Sequence, residues 1–350
     1  MMGLNKKFRT VILSLIVLLG MAGLSVAILL YVHIFAPNVD LEDKKTVLLH
    51  IPTGSSYFDV IHLLEQEGIV SNINSFERLA QRKNYPNRVM PGRYRIQNKM
   101  SNNSLINLLR SGEQEPVRLT FTNIRTEEDL AGSIAAQLEL DSLTMLKFLN
   151  DESLMEDFGL GTPSLKPLFL PNTYEVYWTT TAPQLINRMQ REYNAFWNES
   201  RRELARQIGR SPEEVITLAS IVQSETNRID EMPRIAGVYI NRLKVNMPLQ
   251  ADPTVVYALG DFSINRVLNQ HLTFDSPYNT YIYAGLPPGP INLPEPRTID
   301  AVLNYEKHNY YYFSAKPDFS GYHVFARNYN EHLRNARRYQ QALNERRIFR

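Results

Sequence analysis

From Val11 to Phe35 the chain shows no alternation of polar and apolar positions and carries no formal charge. A helix of about 20 apolar residues crosses the roughly 30 Å hydrocarbon core of a bilayer, and this run of about 25 is long enough. Lys6, Lys7 and Arg9 precede it, and Asp40, Glu42 and Asp43 follow it. The positive-inside rule therefore leaves residues 1–10 in the cytoplasm and sends everything beyond about residue 40 outside. A cleaved signal peptide is the competing reading, but its apolar core is normally about 7–15 residues and ends in a small-x-small site. The length favours a single-pass transmembrane helix over residues 11–35.

Beyond the anchor the periodicity switches between two and three to four. "KTVLLHIPTG" predicts a strand, "SYFDVIHLLEQEGI" and "NSFERLAQRKN" two amphipathic helices, and "PGRYRI" a second strand. "NNSLINLLRSG" and the strand "PVRLTFTN" close this α+β module, placed at residues 45–122. A glycan-binding module of the LysM type has that order of elements, and so do many small domains. Carbohydrate binding and a plain spacer holding the rest off the membrane both fit. Residues 123–350 form the larger remainder, with helices in "RTEEDLAGSIAAQLEL" and "SLTMLKFLN" and an aromatic stretch "PLFLPNTYEVYW".

The clearest helix start lies at "SPEEVITLASIVQSET". Ser211 is an N-cap, Pro212 takes the first helical position, and Glu214 completes a capping box. Counting from that start, Val215, Leu218, Ala219 and Val222 fall on one face, and the next positions on it are Glu225 and Thr226. Glu213 and Glu214 sit in the first turn, where they complement the helix dipole. Glu225 continues an apolar stripe, and that burial raises a carboxyl pKa toward the value a general acid needs near pH 7. An ion pair with Arg228 or Arg234 is the alternative account.

Downstream, Ile235, Val238, Tyr239 and Leu243 predict a second apolar stripe starting near Pro233, with Asn241 and Arg242 embedded in it. Asp252 before Pro253 reads either as the N-cap of a short helix ending at Gly260 or as a second catalytic carboxylate. "SPYNTYIYAGLPPGPINLP" can be neither a long helix nor a central strand, because its prolines lack donors. It predicts a stiff loop carrying aromatic faces and amides, which suit stacking on sugars and bonding their hydroxyls. His323 alternates with Tyr322 and Val324 in the strand-like "GYHVFA", as a packed strand residue or as a cleft wall.

Composition narrows the chemistry. With no cysteine there is no disulfide, no thiolate nucleophile and no Cys-ligated metal. The seven histidines form no HExxH pattern, so no metal is expected. A net charge of +2 argues for no nucleic-acid partner. For an outward-facing bacterial-type protein the nearest polymer is the cell wall.

"ASIVQSET", "VYINRLKVNMPLQADPTVVYALG", "SPYNTYIYAGLPPGPI" and "YHVFA" together resemble the YceG-like family of endolytic murein transglycosylases. The resemblance extends over nearly all of the chain beyond the anchor. It implies a membrane helix, a LysM-like module and an α+β catalytic domain at the periplasmic side of the inner membrane. It also implies cleavage of the bond between N-acetylmuramic acid and N-acetylglucosamine within peptidoglycan strands, leaving 1,6-anhydro-muramoyl ends and needing no cofactor. The family's catalytic glutamate falls on Glu225. Gln250, Asp252, Tyr278, Asn279, Tyr281, Asn241, Asn172, Tyr174 and His323 are the substrate-binding candidates, and peptidoglycan synthases the candidate partners.

Two departures qualify the resemblance. Where many members read "EKE", this chain has Gln223, Ser224 and Glu225; where many read "LEGYLFPDTY", it has "LKPLFLPNTY", with Lys166 and Pro167 for Glu-Gly and Asn172 for Asp. Two other functions stay open at this point: a glycoside hydrolase using Glu225 and Asp252, and a wall-binding scaffold without activity.

Overall fold

The structure, a computed structural model, describes residues 6–346 apart from 123 and 265. Residues 1–5 of the expected cytoplasmic segment and 347–350 of the expected catalytic domain therefore lie outside the described residues. The chain clusters into two compact units, residues 1–117 with 175–179, and residues 118–174 with 180–350.

In the first unit, helix α1 (Lys6–Phe35) starts five residues before the expected anchor and ends where expected. Its stretch Arg9–Leu29 is long and apolar enough to cross a membrane and is not buried against protein. There follow β1 (Thr46–Ile51), α2 (Tyr57–Gln66), α3 (Ile73–Arg82), β2 (Gly92–Gln97) and α4 (Asn102–Ser111). β1 and β2 pair antiparallel from Thr46↔Gln97 to Ile51↔Gly92. Leu49 and Ile51 on β1, and Tyr94 and Ile96 on β2, are buried at a period of two, against Val60 and Leu64 of α2 and Leu105 of α4. Side chains of Ser56, Asn72 and Ser101 cap the three short helices.

Strands β3 (Val117–Thr120) and β4 (Thr173–Val176) lie at the chain's passages from one unit to the other. The second unit is mainly helical. It comprises α5 (Glu127–Ala135), α6 (Ser142–Leu149), α7 (Glu152–Phe158), α8 (Ala182–Phe196), α9 (Glu199–Gln207), α10 (Pro212–Glu225), α11 (Met232–Lys244), α12 (Asp252–Leu259) and α13 (Pro296–Leu303). The antiparallel hairpin of β5 (Tyr312–Ala315) and β6 (His323–Ala326) and helix α14 (Tyr329–Glu345) complete it. The fold is thus mixed helix and sheet.

Helix α10 begins where the sequence puts it. Ser211 Oγ accepts from Glu214 N at 3.2 Å, and Glu214 Oε2 accepts from Ser211 N at 2.9 Å. It ends at Glu225, because Thr226 turns extended at φ −149°, ψ 143°. The single expected stripe is an understatement, since every residue from Val215 to Val222 is buried. α9, α11, α12 and α13 all pack on this helix, so it is central to the unit and needs no polar face. Its buried hydroxyls turn back onto the helix, Thr217 donating to Glu213 O at 2.8 Å and Ser220 to Thr217 O at 2.7 Å.

Asp252 is not the N-cap that the sequence suggested. Ala251 holds the extended cap position, and Asp252 is the first helical residue of α12, leaving its carboxylate free for another partner. The helix does end at Gly260, with φ +68°.

Candidate active site

Glu225 is the last residue of α10 and is half-buried. Its Oε1 accepts a 2.7 Å hydrogen bond from the Tyr239 hydroxyl, presented by α11. Burial pushes the Glu225 carboxyl up to about 7, and the charge of Asp252 adds to this; the Tyr239 hydrogen bond and the Arg242 charge act against it. A helix C-terminus is itself an unfavourable place for a carboxylate, because the dipole's negative end lies there. Burial also holds the Tyr239 phenol well above its usual range, so it stays a donor. The ion-pair account of Glu225 fails: Arg234 pairs with Glu306 at 2.8 Å, and Arg228 pairs with no described carboxylate.

Three cavities meet at Ser224, next to the acid. One of about 380 Å³ is lined by Ser224, Glu225, Asn227, Arg228, Tyr322 and His323, among others. A second of about 460 Å³ runs along Gln223, Ser224, Asn227 and Asn292. The largest, about 1670 Å³, reaches from Ser224 and Asp252 past Tyr257 and Phe262 to Phe319 and Leu343. Its walls do not include Glu225 itself, so the acid stands at the edge of a long groove.

The proline-rich loop is fastened to the end of α10. Ile291 N donates to Ser220 Oγ at 3.0 Å, and Asn292 Nδ2 donates to Ser220 O and Ser224 Oγ at 2.9 and 2.7 Å. Gln223 donates to Leu293 O at 3.3 Å and accepts from Glu295 N at 2.7 Å and the Thr298 hydroxyl at 3.0 Å.

The remaining sequence candidates divide. His323 lines the 380 Å³ cavity, with its backbone N–H and Nδ1 held by the buried Glu231 carboxylate at 2.9 and 2.6 Å. Asp252 lines the large cavity and accepts from the Tyr281 hydroxyl at 2.6 Å. Gln250 is exposed two residues before it, at φ +49°, with its N–H tied to Thr280 O. Tyr278 lies 4.7 Å from Tyr257, which walls the large cavity.

Others serve the fold. Asn279 is fully buried and holds Leu272 O, Phe274 O and Tyr281 N. Asn241 donates to the carbonyls of His308 and Tyr310. Tyr174 is buried, with its hydroxyl on Leu170 O at 2.6 Å and its ring against Phe121. Asn172 is exposed, with Oδ1 accepting from Thr173 N.

Sequence reasoning missed three supporting groups. Tyr239 counted only as an apolar stripe member, although a buried tyrosine hydroxyl needs a partner. Glu231 gave no signal apart from its place before Pro233. Lys166 is buried and reaches Arg125 O, the Tyr257 hydroxyl and Glu127 at 2.9, 3.1 and 3.3 Å, bracing the Tyr257 wall. Among the described residues no three His, Asp or Glu side chains converge to hold a metal.

The charges around Glu225 give opposite pH signatures. Tyr239→Phe removes a hydrogen bond that favours the carboxylate, so the alkaline limb of the rate profile moves to higher pH. Asp252→Asn removes a charge that disfavours the carboxylate, so the same limb moves to lower pH. Profiles of kcat/KM that move together, or in the reverse sense, contradict this assignment.

The sequence profile of the YceG-like family matches residues 49–338. The chain is 29% identical over 323 residues to the endolytic murein transglycosylase of Bacillus subtilis (strain 168), covering 88% of each chain. It is 30% identical over 332 residues to the protein of the same name from Streptococcus pneumoniae (strain D39), covering 85% of this chain and 59% of that one. A crystal structure of a yceG-like protein from Listeria monocytogenes superposes with a TM-score of 0.55 at 28% identity, covering 83% of this chain and 99% of the other. With a match extending over most of its length, the chain belongs to the YceG-like family.

Proposed function

We propose that the protein is an endolytic lytic transglycosylase of peptidoglycan and that Glu225 is its one acid–base group. The observation that carries the reading is a half-buried carboxyl pushed up to about 7 that lines one cavity and neighbours Ser224, where that cavity meets two others. Protonated Glu225 gives its proton to the leaving N-acetylglucosamine oxygen as the bond to muramic C1 breaks. The sugar takes on oxocarbenium character. The carboxylate then removes the proton of the muramic C6 hydroxyl while that oxygen bonds to C1, and no water is consumed. Tyr239 steadies the carboxylate between the two steps.

Cavities extending in more than one direction from Ser224 suit a polymer bound on both sides of the cut, which is what cleavage within a strand requires. Asp252 keeps the hydrolase reading in view, because its charge acts on Glu225. Mass analysis of digested strands separates the two: anhydro-muramoyl ends are one water lighter than reducing ends. Reducing ends alone overturn the lytic mechanism, and a failure to release any fragment leaves the scaffold.

The same reading assigns residues 11–35 as a single-pass anchor in the inner membrane with the rest on the periplasmic side, and residues 123–350 as the catalytic domain. Residues 45–122 become a LysM-like glycan-holding module, a reading that the order β1-α2-α3-β2 supports. Peptidoglycan synthases working beside it are the proposed partners, with strand termination as the outcome.

A further inference from the structure

The 380 Å³ cavity contains a cation for which the acid–base chemistry has no use. Arg228 lies three residues after Glu225, and both line this cavity. Its guanidinium carbon sits 4.7 Å from the centre of the Tyr322 ring, and one of its N–H groups donates to the Ser320 carbonyl. The Tyr322 hydroxyl is in turn fixed by Asp230 at 3.1 Å. Gly321 completes the shelf at φ +77°, where a Cβ would stand 3.4 Å from Arg228 Nε and Nη2. Glycine there gives the turn its left-handed backbone and brings it into contact range of the guanidinium. Lys316 Nζ lies 5.3 Å from the centre of the same ring, a second positive charge beside it.

Two arginines of this unit show the usual alternative, an acidic partner. Arg201 meets Asp300 at 2.8 Å and Arg234 meets Glu306 at 2.8 Å. Arg228 has no carboxylate partner among the described residues. A guanidinium fork that is shelved on an aromatic face and left unpaired in a cavity is suited to bidentate recognition of a carboxylate.

We propose that this cavity is a subsite for a carboxylate carried on the lactyl arm of the muramoyl residue being cut, and that Arg228 reads it. The inference rests on the peptidoglycan reading above. Glu225 acts at C1 of that sugar, and the lactyl arm leaves from C3 of the same ring, so its substituent must fall within one ring's width of the acid. The carboxylate is the lactyl group's own where the stem peptide has been removed, or the nearest one of the stem peptide where it is present. Arg228 is thus a specificity-determining residue that reads the decoration of the strand.

The test uses the full-length protein on four glycan substrates: peptide-bearing strands, amidase-stripped strands, and each of these with its carboxyl groups converted to methylamides. Wild-type protein should prefer a charged substrate over its neutral counterpart by about 10- to 100-fold in kcat/KM, the span of a charge-assisted hydrogen bond. Arg228→Gln should bring that ratio close to one, mainly through KM, and Arg228→Lys should restore part of it. A preference confined to stripped strands identifies the lactyl carboxylate; one confined to peptide-bearing strands identifies the stem peptide. A wild-type ratio near one on both pairs, or an unchanged ratio in Arg228→Gln, overturns the proposal. Anhydro ends counted in the same wild-type digests judge the functional reading separately, because the charge preference is measurable whichever end is produced.

Discussion

Glu225→Gln abolishes release of anhydro-ended fragments while leaving a folded protein that still binds sacculi. The amide keeps the size of the side chain and an oxygen for the Tyr239 hydroxyl, yet it can neither protonate the leaving oxygen nor accept the C6 proton. General acid–base assistance is typically worth about 10²–10⁴-fold, and one group serving both half-steps puts the loss at or beyond the upper end. More than about a tenth of wild-type activity remaining would remove Glu225 from the role.

The same substitution changes stability with a defined sign. The folded carboxyl titrates near 7, against an ordinary value of 4.5, so the native state holds this proton more tightly than the unfolded chain does. Its contribution is complete below the ordinary value and is lost as the pH rises through about 7. Allowing for the part of the carboxyl that meets solvent, the loss is about 1–3 kcal/mol. Glutamine has no proton to lose, so the variant should match wild type near pH 4 and exceed it at pH 8 in denaturant melts. Parallel stability curves would count against a raised carboxyl pKa.

Arg242→Met should be the most destabilising single change around the site. The buried guanidinium donates to Tyr311 O at 2.6 Å, Leu249 O at 2.6 Å and Pro248 O at 3.3 Å, and it lies 5.1 Å from the Tyr312 ring centre. It joins α11 to the turn that leads into Asp252 and to the start of β5. Methionine fills much of the volume but leaves three carbonyls without their donor, at about 1–3 kcal/mol for each one that stays dry. A total near 3–5 kcal/mol corresponds to a fall in Tm of about 6–20 °C for a unit of this size. A loss below about 1 kcal/mol would mean that water replaces the guanidinium at all three carbonyls.

What the sequence revealed depended on how local the cause is. The start of α10 follows from Ser211, Pro212 and Glu214 alone, and the end of α12 from Gly260, because a cap satisfies groups within one turn of itself. Glu225 was conspicuous because an acid on an apolar stripe has no structural explanation. The acid's environment was not legible, because Tyr239, Asp252 and Arg242 reach it through tertiary packing. The carbonyl partners of the Asn241 and Asn279 amides were not legible for a related reason: an amide satisfies a buried carbonyl as well as a hydroxyl of a glycan, and only the fold shows which carbonyls it meets. Tyr174 is similar, an aromatic residue whose polar tip meets Leu170 O in the core. Asp252 was misplaced by one position at a helix end, and that one position converts a cap into a partner for Tyr281.

The attachment of the proline-rich loop to the last turn of α10 bears on how the enzyme keeps time. Ser220, Gln223 and Ser224 hold that loop from the last two turns of the helix that carries Glu225. The groove's border and the acid therefore share one rigid frame, and the donor geometry exists before any sugar arrives. Such preorganisation removes the need for a closing step before chemistry. Gln223 donates to Leu293 O and accepts from Glu295 N, so its side chain works here as a clasp on the loop rather than as a second proton carrier.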